Sequence, residues 1–123
     1  MKITLPIQRK QLKGQEVIKI KENKEFELDT TLVAQMRYEK NFPELAKNED
    51  LFDYSKRISE VDSLSAAVII SKMKMLYCWL DGKIDFIEFL RLFDLTDIEY
   101  ITNLTGEINR VIELVFNSSA EKN

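Results

Sequence analysis

Apolar and polar positions along the 123-residue chain follow two different periods. At the N-terminus they alternate. Ile3, Leu5 and Ile7 share one face of a short strand over 2–7, and Pro6, which has no amide hydrogen to donate, restricts that strand to a sheet edge. Residues 9–14 read as a polar loop. Alternation returns over 16–21 (EVIKIK) and 25–28 (EFEL). These two runs predict a β-hairpin turning through Glu22, Asn23 and Lys24, with Asn23 at positive φ.

From residue 29 the spacing changes to threes and fours, which predicts helices. Asp29 or Thr30 is a candidate cap for a helix to about Asn41 that buries Leu32, Val33, Met36 and Tyr38. Pro43 disfavours helical geometry at Phe42 and ends it. Asn48 is the candidate cap of the next helix, with Glu49 and Asp50 in its first turn and a stripe of Leu51, Tyr54, Ile58 and Val61. Residues 63–81 (SLSAAVIISKMKMLYCWLD) are apolar on nearly every face, as expected of a helix enclosed by its neighbours. Gly82 supplies its stop, and Lys72 and Lys74 are expected to snorkel from it. Asp85 with Glu88 predicts a capped short helix to Phe93, and Thr96 with Glu99 a second capped start. The last helix is expected to bury Ile98, Ile101, Leu104, Ile108, Val111, Ile112 and Val115, with Gly106 loosening its middle. The expected fold is therefore mainly α, a helical bundle around a buried central helix at about 63–81, with a short β-hairpin region at about 2–28. The chain reads as one domain, 1–123, with a β region over 1–28, a helical body over 30–117 and a frayed tail over 118–123.

Charge divides this picture in two. Residues 1–25 carry seven Lys or Arg against three Glu, whereas 26–123 carry 11 basic and 18 acidic residues. The basic end reads first as a strand edge guarded by lysines. The acidic total and the lack of a Lys/Arg stripe on any helix argue against nucleic acid. Ser71, Lys72 and Lys74 interrupt the central apolar run, which argues against a membrane span. A single cysteine, Cys78, fits a reducing compartment.

Candidate chemistry is thin. The chain has no histidine, so no Ser-His or Cys-His pair and no histidine metal site can form. Three glycines provide no phosphate-cradling loop. Asp81-Gly-Lys-Ile-Asp85-Phe-Ile-Glu88 matches the second half of an EF-hand loop, but the first and third ligand positions would be Tyr77 and Trp79, which cannot replace carboxylates on calcium. No enzyme activity, cofactor or metal is expected. Two apolar stripes remain as candidate partner sites: Phe86, Phe89, Leu90 and Phe93 on the short helix, and Leu51, Tyr54 and Ile58 before it.

Three segments carry a family resemblance: Glu25-Phe-Glu-Leu-Asp-Thr-Thr-Leu32, Met36-Arg-Tyr-Glu-Lys-Asn-Phe-Pro43 and Asp50-Leu-Phe-Asp-Tyr-Ser-Lys-Arg-Ile58. Together they resemble the tail assembly chaperones of long-tailed phages and prophages of Gram-positive bacteria. The likeness covers about residues 16–60. It implies a non-enzymatic role in the host cytoplasm, binding the helical, aggregation-prone tape measure protein before the tail tube polymerises. It also implies absence from the finished virion. Such proteins often self-associate. Many are also made in a longer form by ribosomal frameshifting, and that form recruits tail tube protein; Glu121-Lys122-Asn123 is compatible with a slippery codon run. The alternatives are an adaptor or regulatory domain of a mobile element, and a degenerate EF-hand-like module.

Overall fold

The computed structural model describes residues 1–81 and 83–117. Strands β1 (Lys2–Lys13) and β2 (Glu16–Glu27) form one antiparallel hairpin, and helices α1 (Leu32–Asn41), α2 (Pro43–Ala46), α3 (Leu51–Ser59), α4 (Ala66–Trp79), α5 (Phe86–Leu90) and α6 (Ile98–Asn117) follow. The architecture is mixed α/β, a twelve-pair hairpin set against six helices, and not a helical bundle with a short β appendage.

The correction begins at Gly14. Its φ of +66° lets Gly14-Gln15 close a two-residue loop, with Lys13 opposite Glu16. Glycine first in such a loop matches the twist of the strands it joins. Residues 9–13 are therefore strand and not loop. Asn23 lies mid-strand opposite Pro6, and no residue other than glycine has positive φ among those described. The polar stretch gave no alternation because neither face of the outer hairpin is covered, so burial left no period there to read.

The inner hairpin is anchored. Ile3, Leu5 and Ile7 are buried. The Gln8 amide donates to the Leu92 carbonyl at 3.1 Å, the Asp29 amide to the Trp79 carbonyl at 2.8 Å, and the Asp81 amide to the Glu27 carbonyl at 2.8 Å. The strand ladder is thus extended by single bridges, Gln8 to Phe93 and Leu28 to Leu80.

α4 is central, as its composition predicts, but shorter than 63–81. Ser65 is its N-cap, accepting from the Val68 amide. Met73, Met75, Leu76 and Cys78 are almost wholly buried. A buried side chain of that size contributes roughly 1.5–3 kcal/mol, against about 1 kcal/mol for a cap. Burial therefore decides where α4 lies, and Ser65 decides only where it starts. Lys72 is buried rather than snorkelling, and its ammonium donates to Asn109 Oδ1 at 3.3 Å. Lys74 instead stands over the Phe42 ring.

The other helices shift their caps. Thr31 caps α1, Asp50 caps α3 and Pro43 opens α2, an extra turn after the expected stop. Asp97, not Thr96, receives the Tyr100 amide at the start of α6, while Asp85 precedes α5 without a side-chain capping bond. The expected helix stop at Gly82 and the frayed tail at 118–123 lie outside the described residues.

Candidate protein-binding surfaces

α1 is turned against its own hydrophobic pattern. Its buried residues are Ala34 and Tyr38, whereas Leu32 is 86% exposed, Met36 66% and Val33 50%. Polar chemistry sets this orientation. The Arg37 guanidinium reaches inward to the Cys78 carbonyl and pairs with Asp29 at 3.0 Å. The Tyr38 hydroxyl donates to the Glu49 carbonyl at 3.0 Å. The Thr31 hydroxyl and amide both bind the Asp29 carboxylate and, with Arg37, hold it below its ordinary range. A half-buried cation and a buried hydroxyl need partners more strictly than an apolar side chain needs cover. The helix therefore satisfies Arg37 and Tyr38 and leaves Leu32, Val33 and Met36 outside.

The Leu32 end of this face borders a groove of about 670 Å³ lined by Thr30, Thr31, Gln35, Asp50, Leu51, Phe52 and Trp79. Phe52, on α3, is 53% exposed. Its ring meets Phe116 edge to face at 5.4 Å, and Phe116 meets Trp79 at 5.9 Å. The Trp79 indole donates to Ser55 Oγ at 3.0 Å, which fixes the ring as the groove wall. Gln35 Oε1 accepts the Leu51 amide at 2.9 Å and pins α3 to α1. Asp50 places an acid at the rim.

The residues singled out from the sequence divide. Leu51, Tyr54 and Ile58 are all buried, so the face that α3 shows beside them is Phe52. Phe89 is buried too, packed edge to face against Phe26 and Phe93. Phe86 is half-buried against Phe42 and Tyr77. Leu90 and Phe93 line a separate apolar groove of about 180 Å³ with Ile69, Ile70, Met73 and Leu95. Leu32, Val33 and Met36, expected in the core from their spacing, lie on the surface. Phe52, Trp79 and Leu95 gave no periodic signal that marks a surface.

Asp81 and Asp85 flank the degenerate EF-hand-like loop, whose Gly82 lies outside the described residues. Among the described residues no group of three or more His, Cys, Asp or Glu could hold a metal ion. Cys78 is fully buried, and burial pushes its thiol up to about 12. No described helix is long and apolar enough to cross a membrane. No family model, curated protein or solved structure matches the chain.

Proposed function

We propose that this chain is a non-enzymatic protein-binding module that holds an amphipathic helical segment of a client, in the manner of a phage tail assembly chaperone holding tape measure protein. The observation that carries the reading is the outward face of α1. Leu32, Val33 and Met36, each at least half exposed, are continued by Phe52 and Trp79 into one apolar strip. A strip of this kind marks a contact surface. Apolar residues three and four apart on a client helix would fit such a groove, and Asp50 at the rim favours a client with a basic flank. Leu32, Met36 and Phe52 also fall within the segments that carry the family resemblance.

The test is capture of co-expressed tape measure protein by a Leu32→Ser, Met36→Ser, Phe52→Ser triple variant. All three side chains are more than half exposed, so the fold is expected to survive. Capture should weaken by more than about tenfold, as expected when an aromatic anchor and its neighbours are removed. Undiminished capture by the folded variant would remove this surface as the client site.

A further inference from the structure

We infer that the free edge of β2, over Val17–Asn23, accepts an extended strand from a partner protein whose residues alternate between acidic and apolar. This surface is distinct from the α1 groove and goes beyond the helical client proposed there.

The geometry starts at the turn. In a hairpin closed by a two-residue loop, the flanking residues exchange hydrogen bonds, and every second pair does the same. Here those pairs are Lys13–Glu16, Gln11–Ile18, Arg9–Ile20 and Ile7–Glu22. Val17, Lys19, Lys21 and Asn23 must then aim their backbone amides and carbonyls away from β1. Two contacts elsewhere in the same phase agree with this. The Glu27 carbonyl accepts from the Asp81 amide, and on β1 the Gln8 amide donates to Leu92. The β1 edge is thus blocked at Gln8, and at Pro6, which has no amide hydrogen and whose carbonyl is taken by the Tyr100 hydroxyl at 2.7 Å. Along Val17–Asn23 no backbone partner outside the hairpin exists among the described residues.

The side chains select the occupant. On one face the edge shows Val17, Lys19, Lys21 and Asn23, with Lys19 also paired to Asp97 at 3.3 Å, and on the other Ile18, Ile20 and Glu22. Val17 is 63% exposed and Ile18 38%. An incoming strand places its side chains beside these, face for face. Acids are favoured beside the lysines and apolar side chains beside the isoleucines. A second copy of β2 paired antiparallel about Ile20 would set Lys19 beside Lys21, which is disfavoured. A nucleic acid would meet the lysines but leave Val17, Ile18 and Ile20 unpaired. Main-chain hydrogen bonds would supply affinity and the two-sided pattern specificity.

The probe is a fluorescein-labelled peptide of alternating glutamate and valine, titrated into the full chain and followed by anisotropy. Saturable binding is expected, with slowed exchange of the Val17, Lys19, Lys21 and Asn23 amides. Lys21→Pro removes one outward amide that the hairpin does not use, so it should weaken binding at least about tenfold, whereas Lys21→Ala should keep most of it. A peptide methylated on alternate backbone nitrogens tests the same bonds with the protein unaltered, and it should bind far more weakly. The proposal is overturned by no binding of the glutamate–valine peptide, by equal binding of the methylated peptide, by equal binding of a lysine–valine peptide, or by displacement of the bound peptide by duplex DNA.

Discussion

Each of the four tyrosines gives its hydroxyl to a backbone carbonyl in a different part of the chain. Tyr38 bonds Glu49, Tyr54 bonds Ser71, Tyr77 bonds Ile84 and Tyr100 bonds Pro6. Every ring is buried, so each hydroxyl needs a partner within the fold. Burial raises the Tyr38 hydroxyl to about 12 and shifts Tyr54, Tyr77 and Tyr100 the same way, so all four stay protonated donors across neutral pH. Tyr100 matters most for the hairpin, because its bond spans 94 residues. Tyr100→Phe keeps the ring and deletes that bond. It should cost roughly 1–2 kcal/mol, seen as a lower urea midpoint and faster amide exchange in β1. An unchanged midpoint would show that the Pro6 carbonyl finds water instead.

At the scale of elements, α6 shows where propensity still leaves room. Gly106 lies inside this twenty-residue helix, and a Cβ built there meets nothing within 4 Å. Gly106→Ala should raise stability by about 0.5–1 kcal/mol through lower chain entropy, read as a higher urea midpoint with an unchanged slope. The inner face of α6 was legible beforehand: Ile101, Leu104, Ile108, Val111 and Ile112 are buried as their spacing predicts, while Ile98 is 66% exposed. The α3 stripe was legible for the same reason, since buried apolar side chains repeat at the helical period, and α4 was legible because nearly every face of it is apolar. Two elements were not. The outer part of β1 is uncovered on both faces, so residues 9–13 carry no alternation, and only Gly14 marks where the strands turn. α1 is oriented by Arg37 and Tyr38, whose partners lie across the fold and leave no trace in local spacing. The α1 surface is not legible in the pattern for that reason, and Leu51, Tyr54 and Ile58, strong in pattern, are core.

For the molecule as a whole, hairpin and helices are latched by a polar cluster. Gln8 Nε2 donates to Asp97 Oδ2 at 2.9 Å and to Asp94 Oδ2 at 3.3 Å. Lys19 reaches Asp97 at 3.3 Å, and Lys10 reaches Thr96 Oγ1 at 2.7 Å. Burial alone would raise Asp94, but the Thr96 amide and hydroxyl, Gln8 and the Lys10 charge outweigh it and lower the carboxyl below 3.8. Asp97 is lowered as well, by Gln8 first, then the Tyr100 amide and Lys19. Carboxyls lowered in the folded state lend stability that is present above 3.8 and is lost as pH falls through the folded values. Acid should therefore release the hairpin from α6. In a titration downward from pH 5, amides of β1 around Gln8 should lose exchange protection before those of α4 do. Simultaneous loss in both would mean that the latch has no separate acid response.

The Leu28–Leu80 bridge has a further consequence. β2 runs directly into α1 through residues 28–31, and this short junction is stitched on both flanks to Trp79 and Asp81. The strand that offers a bare ladder and the helix that offers a greasy flank are consecutive pieces of one rigid splice, with the Trp79 indole at its corner. A guest zipped along the ladder would brace that corner, and a guest seated in the trough would brace it equally. The two occupancies share one junction, so linkage requires any help that the first gives the second to be returned in equal measure.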